Sequence, residues 1–149
     1  MCQLNVPRFL GSNANYESAK IILAGFPYDC TASYRPGARF AAREVRAYSQ
    51  EAIEPFSFYQ DKSLEDINFF DAGDMEILVG DPALMVGKVK KTALNVMQDK
   101  RKLLGIGGEH LVTYPLYSAA VEVHGPMSML HLDAHADLRD EFTDRKSVV

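Results

Sequence analysis

Tryptophan is absent, and only two cysteines, Cys2 and Cys30, occur in 149 residues. Two thiols so placed make neither a disulfide framework nor a paired CxxC metal knuckle, which leaves a reducing, cytoplasmic setting as the expectation. A surplus of one charge is also missing: sixteen Lys and Arg stand against twenty Asp and Glu, a formal balance of -4. A general nucleic-acid binder carries a basic surplus, so that class is set aside. No apolar run reaches the roughly eighteen residues that a membrane span needs. The start, MCQLNVPRFLGSNANYESAK, has no basic segment followed by an apolar one, and no signal peptide is read there. There is no internal repeat, low-complexity tract or linker. What is present is ordinary: 47% hydrophobic and 24% charged residues, over a length that suggests one domain with a buried core.

Four short apolar runs organise the chain. Lys20–Ala24 (KIILA) is continuous and stops at Gly25 and Pro27, as a strand buried on both faces does. A Pro- and Gly-rich loop follows, in which Pro36 can open a helix whose apolar positions are Phe40, Ala41, Val45 and Tyr48. Ile67–Phe70 is the second run, closed by Asp71-Ala72-Gly73-Asp74. Asp81-Pro82 has the form of a helix start, and Met85, Val89, Ala93 and Val96/Met97 trace one stripe after it. Lys88, Lys90, Lys91, Lys100, Arg101 and Lys102 read as a solvated face rather than an anion site. Leu103, Leu104 and Ile106 form a third strand before Gly107-Gly108, Thr113–Val123 a helix, and Met127–Leu132 a fourth strand delivering Asp133. Strands alternating with helices imply an α/β fold with a mostly parallel sheet and ligands beyond the carboxyl ends of its strands.

The chemistry concentrates at two of those ends. In extended backbone Asp133, His135 and Asp137 face one side, with alanines between them. Two carboxylates and an imidazole so close repel or waste desolvation energy unless a cation lies among them. A polar loop with helix-capping aspartates is the alternative, weakened by the apolar strand that precedes the motif. Gly107-Gly108-Glu109-His110 follows the neighbouring strand, its glycines permitting a tight turn and close backbone approach, and His110 is the natural additional ligand. The set His110, Asp133, His135 and Asp137 is oxygen-rich and thiolate-free. That favours Mn or a similar hard divalent ion, although Co, Ni or Zn can occupy such donors. Asp133 can bridge two ions about 3.5–4 Å apart, a spacing that yields hydroxide near neutral pH.

These stretches, with Gly25-Phe26-Pro27-Tyr28-Asp29, Ser33–Phe40 and Leu132–Asp140, resemble the ureohydrolase family of arginases, agmatinases and relatives, and within it the bacterial agmatinases. The resemblance runs from about Ile21 to Phe142. It implies a three-layer α/β/α sandwich of arginase-like fold, binding two Mn2+ ions with a bridging hydroxide that attacks a guanidinium carbon and releases urea. By motif it implies that His110 and Asp137 bind one manganese, His135 the other, and that Asp133 bridges them. Agmatine going to putrescine and urea is the implied reaction; arginase-, guanidinobutyrase- or formimidoylglutamase-type hydrolysis, or a non-catalytic metal-binding fragment, are the alternatives. A homo-oligomer, trimer or hexamer, acting on a small guanidino compound is implied, with no nucleic acid or membrane partner. Nothing after Phe142 supplies the family's later SxDxDxxDP-type ligands, its proton-transfer His or its guanidinium-binding Glu. The expectation is therefore that 1–149 is the N-terminal portion of a single ureohydrolase domain, truncated on its C-terminal side, with no catalytic residue assignable.

Arg35 and Arg39 read as packing and surface ion-pair residues before subunit or site contacts. Glu109 either steers a cationic substrate or favours a helix dipole. His131, of the same parity as Asp133, reads as a buried, hydrogen-bonded histidine behind the ligands rather than a ligand. His124 suits the end of a helix, and Cys30 has no activating partner that would make it a nucleophile.

Overall fold

The computed structural model describes residues 7–77, 80–137, 141–142 and 145–146. Cys2, the Leu138-Arg139-Asp140 run, and residues 143–144 and 147–149 of the tail lie outside the described residues. In chain order the elements are β1 (Ile21–Phe26), α1 (Ala41–Glu51), a small hairpin of β2 (Phe56–Ser57) and β3 (Lys62–Ser63), β4 (Phe69–Asp74), α2 (Pro82–Gln98), β5 (Lys102–Gly107) and α3 (Thr113–His124). A two-residue antiparallel pair, β6 (Glu141–Phe142) and β7 (Arg145–Lys146), follows.

β1, the most apolar run, takes the centre of a parallel sheet ordered β4-β1-β5, where both its neighbours and both its faces are covered. Its even face packs Ala24, Phe26 and the following Tyr28 against Met85 and Val89 of α2 and against Val112. Gly105 lies on that same face beside Phe26 and Leu116, which brings α3 against it. The odd face receives α1: a Cβ on Gly25 would stand 2.9 Å from that of Ala42. Helices on both faces of a parallel sheet make the α/β sandwich that the alternation of runs implies.

α2 is the element best explained locally. The Asp81 carboxylate accepts the Leu84 N–H at 2.9 Å, Pro82 occupies the first helical position, and Met85, Val89, Ala93 and Val96 are buried. Lys88 and Lys90 pair with Glu76 and Glu122 on the outer face.

Four expectations change. β1 runs through Phe26, and Asp71-Ala72-Gly73-Asp74 continues β4 instead of closing it, because Met75 N–H still reaches the Gly25 carbonyl. Pro36 does not open α1. The entry is set instead by Asp29, whose carboxylate accepts the N–H groups of Gly37 (2.6 Å) and Arg39 (3.1 Å) and pairs with the Arg39 guanidinium. Burial pushes the Asp29 carboxyl up, yet those donors hold it below the ordinary range. The buried face of α1 is Ala42, Arg46 and Ser49, while Phe40, Val45 and Tyr48 are exposed. The helical period is right and its phase is rotated, because α1 covers ion-pairing groups: Arg46 grips Asp71 in bidentate fashion (2.7 and 2.9 Å) and also donates to Asp74.

Met127–Leu132 is the fourth change: the expected strand is irregular and has no ladder partner among the described residues. An all-apolar strand gains free energy only when both faces are covered, and here Leu130 and Leu132 are 85% and 87% exposed. β5 therefore forms one margin of the sheet, with Leu104 also exposed. The segment is tied to α3 through the Tyr117 hydroxyl, which donates to the Met127 carbonyl at 2.7 Å.

Candidate metal centre

His110 leaves β5 through a tightly held turn. The Gly108 N–H donates to the Phe26 carbonyl (2.9 Å), and the Glu109 N–H donates to that of Tyr28 (2.7 Å). The backbones approach so closely that a Cβ on Gly108 would sit 1.9 Å from the Tyr28 carbonyl oxygen. Only glycine permits this contact. The Glu109 carboxylate accepts both the N–H and the hydroxyl of Thr31. It therefore ties the 27–31 loop to the turn, from the N-cap position of the short helical turn His110–Val112.

Against this turn lies the 131–137 segment. His110 Nδ1 is 2.7 Å from Asp137 Oδ2, and Asp137 adopts a left-handed backbone conformation with φ 53°. The His131 ring stacks on that of His110, with centroids 5.2 Å apart and planes inclined by 17°. His131 Nε2 lies 3.7 Å from Asp137 Oδ2 and 4.0 Å from Asp133 Oδ2. That nitrogen is buried without a hydrogen-bond partner, contrary to the hydrogen-bonded histidine expected. One ligand atom from each of His110, His131 and Asp137 lies within 4.8 Å of the others.

Of the four expected ligands, the structure gathers His110, Asp133 and Asp137 around His131, and leaves His135 at the rim with its side chain 81% exposed. The two-residue alternation fails because the chain bends at 133–135 instead of running extended. The bend is closed by the His135 N–H, which donates to Asp133 Oδ1 at 2.8 Å. That bond, joined by the charges of the surrounding imidazoles, holds the Asp133 carboxyl below the ordinary carboxylate range.

The donor set fits a divalent ion: the His110 imidazole meets the carboxylates of Asp137 and Asp133 beside His131 with no thiolate among them, and the positive φ of Asp137 is a local cost of the kind that persists at ligand sites. His124 ends α3, and Cys30 is an exposed free thiol. Arg35 stacks on Tyr34, with its guanidinium carbon 5.2 Å from the ring centroid. The buried Arg46 and its role beneath the sheet are not anticipated from the sequence; Asp71-Ala72-Gly73-Asp74 is the signal that could have pointed to a cationic partner.

A family model for the arginase family matches residues 19–148. An agmatinase from Halalkalibacterium halodurans is 39% identical over 134 residues, which are 90% of this chain and 46% of that protein. An agmatinase from Bacillus subtilis is 37% identical with the same coverage. The solved proclavaminate amidino hydrolase from Streptomyces clavuligerus superposes with a TM-score of 0.82 at 30% identity, covering 97% of this chain and 48% of that one. The chain thus spans about half the length of the relatives it matches.

Proposed function

The chain belongs to the arginase family, and from that premise we propose that it serves metal-dependent hydrolysis of a C–N bond in a linear guanidino compound. Agmatine is the first substrate to test, with putrescine and urea as products. The observation that carries this reading is the convergence of His110 and Asp137 to 2.7 Å from two separate segments, with Asp133 close by. The names of the agmatinase relatives support the choice of substrate class.

His110, Asp133 and Asp137 would hold a divalent cation, manganese by the hardness of the donors, with His135 available at the rim for a second. Such an ion would supply Lewis acidity, lowering the pKa of a bound water toward neutrality. The chain's own residues fix the donors. The Gly108 contact and the Glu109–Thr31 tie hold His110 still, and the Asp133–His135 bond shapes the 133–137 bend. Assembly as a trimer or hexamer in a cytoplasmic setting belongs to the same reading. It is supported by the exposed Val45 and Tyr48 on α1 and Phe40 just before it, which such contacts would cover. No described helix is long and apolar enough to cross a membrane.

A second reading, a non-catalytic chain binding one ion, is favoured by the outward placement of His135, which leaves donors for one ion rather than two. The test titrates the chain with Mn2+ and assays urea or amine release from agmatine, arginine, 4-guanidinobutyrate and formiminoglutamate. Urea from agmatine supports the first reading. Mn2+ bound in a way that His110→Ala abolishes, with no turnover of any substrate, assigns the second. No His110-dependent binding overturns both.

A further inference from the structure

His131 touches three of the four residues expected as ligands, and neither the family match nor the motif assigns it a role. It stacks on the His110 ring, and its Nε2 lies within 4.0 Å of a carboxylate oxygen of both Asp137 and Asp133. We propose that His131 is a positioning residue that sets the affinity of the site for a divalent ion by holding the His110 ring and both carboxylates in register. This inference rests on the metal-binding reading above.

The ring geometry separates this role from that of a ligand, and the buried nitrogen separates it from plain packing. An imidazole binds a cation along a lone pair lying in the plane of its ring. The His110 and His131 planes are inclined by only 17° and stacked one over the other, so an ion in the plane of one ring stands off the plane of the other. His131 is thus placed behind His110. The separations of 3.7 and 4.0 Å are too long for hydrogen bonds. They are short enough for Nε2 to reach either carboxylate after a small side-chain rotation. Finally, a buried polar atom without a partner costs free energy that a packing role would never require. Leu or Phe would serve packing at lower cost.

The His110 ring has two restraints in this arrangement, Asp137 at its Nδ1 and His131 on its face. Among the described residues, Asp137 sits on a segment that joins no sheet ladder. His131, on the same segment, helps register it against the turn after β5, alongside the His110–Asp137 contact. Removing it leaves the donors present and their mutual geometry loose. Groups that orient metal ligands in this way change affinity by about 10–100-fold when lost.

The experiment compares His131→Ala, His131→Phe and His131→Asn with the unmodified chain by calorimetric titration with Mn2+, alongside thermal melts in chelator. His110→Ala serves as the ligand-loss reference. His131→Ala is expected to weaken Mn2+ binding at least tenfold while leaving the metal-free melting midpoint unchanged. His131→Phe, which keeps a flat ring on His110, is expected to recover part of that loss, and to recover more than His131→Asn. Affinity unchanged in His131→Ala overturns the proposal, as does binding abolished as completely as in His110→Ala, which would make His131 a ligand. If His131→Ala does not fold, His131→Phe and His131→Asn decide: Mn2+ affinity weakened in both, and less in His131→Phe, supports the proposal, and affinity unchanged in both or lost completely in both overturns it. An unmodified chain that binds no Mn2+ refutes the metal-binding reading itself, an outcome distinct from all of these.

Discussion

Gly108→Ala tests whether the close contact beneath His110 is what fixes it. Gly108 does not adopt a left-handed conformation, so the substitution carries no backbone penalty of that kind and acts through sterics alone. The new Cβ would meet the Tyr28 carbonyl oxygen at 1.9 Å. Carbon and oxygen rest no nearer than about 3 Å, so the two backbones must part by roughly 1 Å. That movement breaks the 2.7 Å bond from Glu109 and the 2.9 Å bond from Gly108. Each is worth about 1 kcal/mol, with roughly another 1 kcal/mol for groups left unpaired. Alanine restricts the unfolded chain and returns about 0.5–1 kcal/mol. The net loss of about 2 kcal/mol lowers the melting midpoint by about 6 °C at this chain length. Circular dichroism melts read the stability, and Mn2+ titration reads the displaced imidazole, with at least tenfold weaker binding expected. Gly87→Ala is the matched comparison: it lies inside α2, and its new methyl would have nothing within 4 Å, so it raises stability by about 0.5–1 kcal/mol. A Gly108→Ala chain that melts like the unmodified one and binds Mn2+ as tightly would refute the reasoning.

Arg46→Ala strands the buried Asp71 charge and costs about 3–5 kcal/mol, measured by urea unfolding, with the double variant Arg46→Met/Asp71→Asn recovering much of it; a loss below about 1 kcal/mol would contradict the buried pair. Asp71 also predicts an acid limb. Burial raises its carboxyl, but the Arg46 guanidinium and the N–H groups of Phe9 and Gly73 hold it below the ordinary 3.8. A depressed folded-state value contributes stability that is present above 3.8 and lost as pH falls through the folded value. Asp71→Asn should therefore flatten the fall in unfolding free energy below about pH 4, and an identical acid limb would count against it. Asp137→Gly should be more stable than Asp137→Ala by about 1 kcal/mol, since only glycine adopts φ 53° without cost, while both lose Mn2+ binding; equal melting midpoints would remove the strain argument.

The parts of the fold legible beforehand are those decided by local chemistry. Asp81-Pro82 marks α2 because an N-cap and a fixed φ act within one turn. The apolar runs mark β1 and β5 because a buried strand must be apolar whatever surrounds it. The face of α1 was not legible in this way. Apolar periodicity points to Phe40, Val45 and Tyr48, whereas a long-range network from Arg46 to Asp71 and Asp74 decides which side is buried. The run at 127–132 has a strand's composition, but no covering layer for Leu130 and Leu132 is present among the described residues. For the site, Gly107-Gly108 foretells close approach, which the Tyr28 contact bears out, and the placement of His110 near Asp133 and Asp137 follows from adjacent chain ends. His135 turns outward because the bend at 133–135 breaks the two-residue alternation on which its placement depended. His131 acquires its position from stacking across two segments, which spacing along one of them does not encode.

The two sides of the candidate centre differ in how they are anchored. His110 rides on backbone bonded into the sheet, whereas Asp137 reaches it on a stretch fastened by a tyrosine hydroxyl, a ring stack and side-chain contacts. A cation shared between them would act as a clasp, joining the sheet to a stretch that has no ladder bonds of its own among the described residues. Chelation would then register first as faster amide exchange and protease cutting across 125–137, while β1, β4 and β5 stay protected. Occupancy of the centre would in this way be written into the order in which the molecule comes apart.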